Sequence, residues 1–187
     1  MTTKTQLLTI ADWEAMPHGD GNIYEIIEGE LFVSCSPGLT HQVVLGNLFA
    51  SIWIFLKTNP IGTVVNGPGV ILSEYSGVIP DLVFFSHDVR DTLVKNDRVY
   101  GPPSLVVEIL SPGSSNIRRD RVAKLQLYAK HGVPEYWIVD LKNRAIERYI
   151  NQGSSLKFQE TLDEEDTLTT PALPGFSCRI SEIFSQF

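Results

Sequence analysis

Cysteine is scarce in this 187-residue sequence: only Cys35 and Cys178 occur, far apart in the chain. That excludes a disulfide framework, and no CxxC or Cys/His spacing offers a zinc site. Long apolar runs are missing too. The longest nearly apolar stretch, Leu48 to Leu56, is interrupted by Ser51 and falls short of a membrane span. Leu7 to Ile10 is too short for the apolar core of a secretory signal. The expectation is a cytoplasmic protein with reduced thiols and no membrane partner. Positive charge is in deficit, 15 Lys and Arg against 22 Asp and Glu, for a net charge of -7. Such a balance counts against a protein that coats nucleic acid by bulk electrostatics. There is no internal repeat and no low-complexity linker, and Pro and Gly are scattered as turn punctuation. Length and a 43% hydrophobic content suit a single domain over 1–187 that buries a core without staples.

Hydrophobic spacing outlines the elements. Tyr24–Ile27 and Leu31–Ser34 flank Glu28-Gly29-Glu30 and read as a hairpin. From His41 to Lys57 apolar residues fall at helical spacing with a wide buried face, with Thr40 as its cap and Asn59-Pro60 as its stop. Thr63–Val65, Val70–Leu72 and Leu82–Phe85 are short strands separated by Gly and Pro. Leu105–Leu110 is nearly continuously apolar, as a strand buried on both faces requires. Ser111 to Asn116 reads as a loop, and Arg119 to His131 as a helix whose inner face is Val122, Leu125, Tyr128 and Ala129, stopped by Gly132. Tyr136–Val139 and Ala145–Ile150 make a further hairpin. One or two more strands, an acidic turn at Asp163–Asp166 and a short terminal helix complete the chain. This order predicts an α/β (α+β) architecture, a central mixed sheet flanked by helices.

Glu108 is the conspicuous charge, alone in the run Leu105-Val106-Val107-Glu108-Ile109-Leu110. A buried carboxylate must be paired, protonated or bound to a cation, so Glu108 is a buried ion pair, a strand end in water, or a ligand. Asp81, after Pro80, opens the strand Leu82–Phe85; alone it is an ordinary turn acid. Taken together, an acid at a strand start and an acid within a buried strand can present two hard oxygen donors to Mg²⁺ or Mn²⁺. Lys124 lies beside Tyr128 on the helical wheel, at the edge of the apolar face. There it can aim its ammonium at the sheet, or form an exposed i,i+4 pair with Asp120. Eight bases, Arg118, Arg119, Arg121, Lys124, Lys130, Lys142, Arg144 and Arg148, are interspersed with only four acids. That stretch is either a solvated surface or a phosphate-contacting one.

Four ordered segments carry a resemblance. They are Pro80-Asp81; Leu105 to Pro112; Asp120-Arg121-Val122-Ala123-Lys124 with Tyr128; and Gly132-Val133-Pro134-Glu135-Tyr136-Trp137-Ile138-Val139-Asp140. With Tyr24 to Leu31 and His41, they resemble the Uma2 family of restriction-endonuclease-like proteins, in the PD-(D/E)XK superfamily, from about Leu8 to Phe184. The resemblance implies a restriction-endonuclease-like fold and hydrolysis of DNA phosphodiester bonds with one or two Mg²⁺ or Mn²⁺ ions. It implies Asp81 and Glu108 as metal ligands, with the Ile109 backbone carbonyl as a further oxygen donor. The superfamily lysine stands two residues after the second acid, where this chain has Leu110. Lys124 fits a variant in which that lysine has moved to the following helix. Glu28, His41, Asp120 and Tyr128 are supporting candidates, and Arg118, Arg119 and Arg121 are candidate nucleic-acid contacts. Glu25 reads as an ordinary structural acid. DNA is the expected substrate, and a homodimer is favoured because cutting both strands of a duplex needs two sites. The rival reading is a catalytically silent module that binds nucleic acid or protein on the same scaffold.

Overall fold

In the computed structural model residues 6–17, 19–95, 97–110 and 119–185 are described, the side chains of Arg119 and Asp120 excepted. The loop read at Ser111 to Asn116, and Arg118, lie outside the described residues. A short helix α1 (Ile10–Glu14), capped reciprocally by Thr9 and Asp12, precedes the hairpin β1 (Asn22–Ile27) and β2 (Glu30–Cys35). The hairpin turns at Glu28 and Gly29, with φ of 52° and 82°. Two successive left-handed residues match the twist of the strands, and glycine takes the second position without a steric cost.

Helix α2 (Leu39–Thr58) follows, then β3 (Gly62–Asn66), β4 (Val70–Ser73), β5 (Ser76–Val78) and β6 (Leu82–Ser86). Helix α3 (His87–Leu93), β7 (Val94–Lys95) and β8 (Arg98–Tyr100) lead to β9 (Leu105–Ile109). A π-wound turn, Arg119–Lys124, runs directly into α4 (Leu125–Lys130). The chain continues through β10 (Glu135–Asp140), β11 (Ala145–Asn151), β12 (Leu156–Leu162), the ribbon of β13 (Thr167–Leu168) and β14 (Cys178–Arg179), and α5 (Ile180–Ile183).

Two six-stranded mixed sheets result, ordered β2-β1-β5-β4-β8-β7 and β12-β11-β10-β9-β6-β3. In the second sheet β9 runs parallel to β10 and antiparallel to β6. A parallel neighbour needs a crossover, and the helix Arg119–Lys130 lies on that connection. Alternation along β9 then sorts the side chains. Leu105, Val107 and Ile109 join the α2 side of the core with Leu48 and Ile52, whereas Val106 and Leu110 join the α4 side with Leu127 and Tyr128. Glu108 shares the parity of Val106 and Leu110, so its carboxylate is directed to the α4 side.

Three local readings of the sequence are corrected. Gly38, not Thr40, is the cap residue of α2, and it makes no side-chain bond. Val122 is 45% exposed, while Lys124, Leu127, Tyr128 and Ala129 are buried. The physical reason is the π-wound turn: i→i+5 closure adds a residue, so a 3.6-residue wheel drawn upstream of Leu125 slips in register. Finally, α2 is a continuous helix of 20 residues with a mean hydropathy of 1.5 over its apolar window. It is therefore long and apolar enough to cross a membrane by length and composition. Core helices meet the same description, and here Val44, Leu45, Leu48, Ile52 and Leu56 are buried against the second sheet.

Candidate active site

Three elements converge where β6 begins and β9 ends. Asp81 stands one residue before β6 and keeps the parity of Val83 and Phe85, the α4 side of the sheet. Its Oδ2 accepts a hydrogen bond of 2.7 Å from the Ile109 N–H, which ties the two strands together beyond their shared ladder. In an extended strand a residue's C=O points to the same edge as its N–H, so the Ile109 carbonyl also faces the Asp81 edge. His41, in the first turn of α2, brings Nε2 to 3.3 Å from the same Asp81 oxygen. The ring is 4% exposed and its Nδ1 has no hydrogen-bond partner among the described residues.

Glu108 is met from the crossover. Its Oε1 accepts from Lys124 Nζ at 2.8 Å and from the Tyr128 hydroxyl at 2.7 Å. Burial, reinforced by the Glu108 charge, pushes the Tyr128 phenol well above its ordinary pKa, so it keeps its proton and donates a hydrogen bond to Glu108. Lys124 also reaches Glu25 Oε1, again at 2.8 Å, and Glu25 in turn accepts from the Ile79 N–H at 2.8 Å. Glu25, Glu108 and Lys124 are each no more than 3% exposed. Among the described side chains of the cluster, Asp81, 19% exposed, is the one open to solvent. A buried ammonium between two buried carboxylates satisfies the rule that such charges are paired.

The cluster therefore unites Asp81, Glu108, Lys124, Tyr128, the Ile109 backbone and His41, all named as candidates from the sequence, and adds Glu25, which the sequence reading set aside as an ordinary structural acid. The signal for Glu25 was its alternation: it shares a strand face with Ile27, which packs on the α4 side of the core. Glu28 is not brought to this site. It sits at the hairpin turn, half-exposed, with its carboxylate 2.6 Å from Lys130 Nζ, and that bond lowers its pKa. The side chain of Asp120 lies outside the described residues, as does that of Arg119.

Among the described residues most of the basic stretch is paired with carboxylates. Arg121 contacts Glu147 at 2.5 Å and Asp140 at 3.1 Å; burial pulls its guanidinium pKa down, but these two carboxylates outweigh that and raise it. Its guanidinium is thus engaged by two carboxylates of the protein itself. Arg144 pairs with Glu164, and Arg148 with Glu135 and Glu160. Glu147, Asp140 and Glu135 are among the four acids of the local count, and Glu164, Glu160 and Glu28, outside the stretch, add the rest. A concavity of about 760 Å³ lies at the other end of the second sheet, lined by Ser86, Ser104 and Glu135 among others, and includes none of the cluster residues.

A divalent ion suits the donor chemistry. Asp81 and Glu108 are hard oxygen donors on one face of adjacent strands, and the Ile109 carbonyl is directed to the same edge. Among the described residues no three His, Cys, Asp or Glu side chains come together as a ligand group. The fit is accordingly to an ion such as Mg²⁺, which takes one or two carboxylates and completes its shell with water and phosphate, and not to a closed protein cage.

The mixed sheets flanked by helices form a restriction-endonuclease-like fold, with an Asp at one strand entrance, a Glu on the neighbouring strand and a lysine reaching that Glu. The chain matches the Uma2 family, described as "Putative restriction endonuclease", over residues 10–181, and it belongs to that family. It is similar in fold to a "putative nuclease belonging to DUF820" from Anabaena variabilis. The TM-score is 0.75 at 18% identity, covering 95% of this chain and 97% of the other. No curated protein matches the chain.

Proposed function

We propose that the protein is a divalent-metal-dependent endonuclease that hydrolyses DNA phosphodiester bonds. The observation that carries this reading is the convergence of Asp81, Glu108 and Lys124 at the junction of β6, β9 and the crossover helix. Asp81 and Glu108 would hold one or two Mg²⁺ or Mn²⁺ ions, with the Ile109 carbonyl as a further donor. When bound, such an ion polarises the phosphate and lowers the pKa of water. The chain's own groups do the positioning. The Ile109 N–H and His41 fix one oxygen of Asp81. The Tyr128 hydroxyl orients Glu108. Lys124 brings a positive charge that stabilises the additional negative charge of the transition state. A homodimer would supply the two sites needed to cut both strands.

The test is calorimetric titration of Mn²⁺ into wild type and Asp81→Ala/Glu108→Ala, followed by incubation of both with supercoiled plasmid. Binding and nicking by wild type, both lost in the variant, support the proposal. Absence of Mn²⁺ binding by wild type refutes it. A second reading, a silent nucleic-acid- or protein-binding module, is favoured by one observation: Lys124 already neutralises Glu108, as a purely structural ion pair would. DNA binding without cleavage under every metal tested would decide for that reading.

A further inference from the structure

Glu25 belongs to the first sheet and Glu108 to the second, and Lys124 bridges them at 2.8 Å to each. Among the described residues the cluster holds three acidic side chains, Glu25, Asp81 and Glu108, and one lysine. The two partners of Lys124 are not equivalent. Glu108 lies beside Asp81 across the β6–β9 ladder, on the edge where a cation would bind. Glu25 is anchored elsewhere, its Oε1 held by the Ile79 N–H, and it is only 1% exposed.

From this we infer that Glu25 is a positioning residue, whose task is to retain the Lys124 ammonium so that Glu108 can turn to a cation without leaving a buried charge unpaired. The inference rests on the nuclease reading and extends it. An ammonium with a single counter-ion competes with any cation for that counter-ion. An ammonium shared between two carboxylates can release one and remain paired. The second carboxylate thus sets how strongly Lys124 opposes metal binding at Glu108. It also keeps the ammonium within the site, where the phosphate charge is to be met. Glu25→Gln preserves an oxygen acceptor for the Ile79 N–H and removes only the charge, which isolates this role.

A direct ligand role for Glu25 makes a different prediction, and a double-mutant cycle separates the two. Mn²⁺ affinity is measured by calorimetry for wild type, Glu25→Gln, Lys124→Met and Glu25→Gln/Lys124→Met, with thermal melts to establish folding. If Glu25 acts through Lys124, Glu25→Gln weakens Mn²⁺ binding by about tenfold or more, as loss of an outer partner does. In the Lys124→Met background the same change has a far smaller effect, because the competitor is gone. Equal losses in both backgrounds, with wild-type binding intact, overturn the inference alone and make Glu25 a ligand. No Mn²⁺ binding by wild type overturns the nuclease reading, and this inference with it. Should Glu25→Gln fail to fold, Glu25→Asp, which keeps the charge and withdraws it by one methylene, enters the same cycle with the same expected non-additivity. Additive losses from it count against the inference equally.

Discussion

Replacing Lys124 by methionine tests whether burial, rather than distance, decides what an ion pair is worth in this protein. The side chain is 1% exposed and lies 2.8 Å from each of two buried carboxylates. At that separation and an effective dielectric of about 20, Coulomb attraction amounts to about 6 kcal/mol per pair before desolvation is counted. Desolvation offsets most of it in the intact triad. The variant keeps that penalty for Glu25 and Glu108 and loses the attraction. Removing one partner of a buried pair costs about 3–5 kcal/mol. Lys130 is the internal control. Its Nζ is closer to its partner, 2.6 Å from Glu28, but the two side chains are 60% and 49% exposed. In water that separation gives about 1.6 kcal/mol gross, and exposed pairs retain about 0–1 kcal/mol. Urea unfolding at neutral pH of wild type, Lys124→Met and Lys130→Met is the assay, with stability read from the midpoint at constant slope. The expected order is a large loss for Lys124→Met and almost none for Lys130→Met. Comparable losses, or a Lys124→Met cost below about 1 kcal/mol, would refute the argument that the triad is fully desolvated.

Two further predictions concern other parts of the fold. A methyl group added at Gly62 would collide with the backbone oxygen of Phe85 and with the Phe84 ring, in the β3–β6 ladder, where backbone cannot give way as a side chain can. Gly62→Ala should therefore cost about 3 kcal/mol, at the upper end of ordinary overpacking, and a loss within error of zero by urea unfolding would contradict it. The second follows from His131, whose pKa burial, and then the charge of Lys130, push below the usual 6.5 against the pull of Glu28. The folded state holds it neutral while the unfolded chain takes up a proton, so its contribution is present above 6.5 and lost as pH falls below that value. The melting-temperature difference between wild type and His131→Gln should move against wild type between about pH 7.5 and about pH 5.5, whereas parallel curves would exclude the linkage.

Much of this was legible in the chain, for identifiable reasons. The hairpin Asn22 to Cys35 follows from apolar runs around a two-residue turn, and β9 from a short apolar run too regular for a surface. Glu108 stood out as a carboxylate where the neighbours are buried, whereas Asp81, an ordinary turn acid alone, drew notice only in combination with it. Glu25 escaped because its neighbours Tyr24 and Glu28 made an acid there unremarkable, and only the pairing of β1 with β5 brings it near Ile79. The small strands β7 and β8 and helix α3 are polar or short, and tertiary pairing rather than local preference creates them. The charge count of the basic stretch was incomplete in the same way: Glu160 and Glu164, outside it in sequence, pair with Arg148 and Arg144.

The π-wound turn before α4 gives the chain a length-sensitive setting. An α-helix advances by about 100° per residue, so deleting one residue between Arg119 and Arg121 would let the turn relax to ordinary winding and rotate what lies upstream relative to Leu125. A single-residue change in that turn would thus re-aim the chain entering it while Lys124 and Tyr128, at and beyond its downstream end, kept their hold on Glu108. A lysine in such a scaffold is best sought by where its ammonium arrives, because its count along the chain from the acids is free to drift.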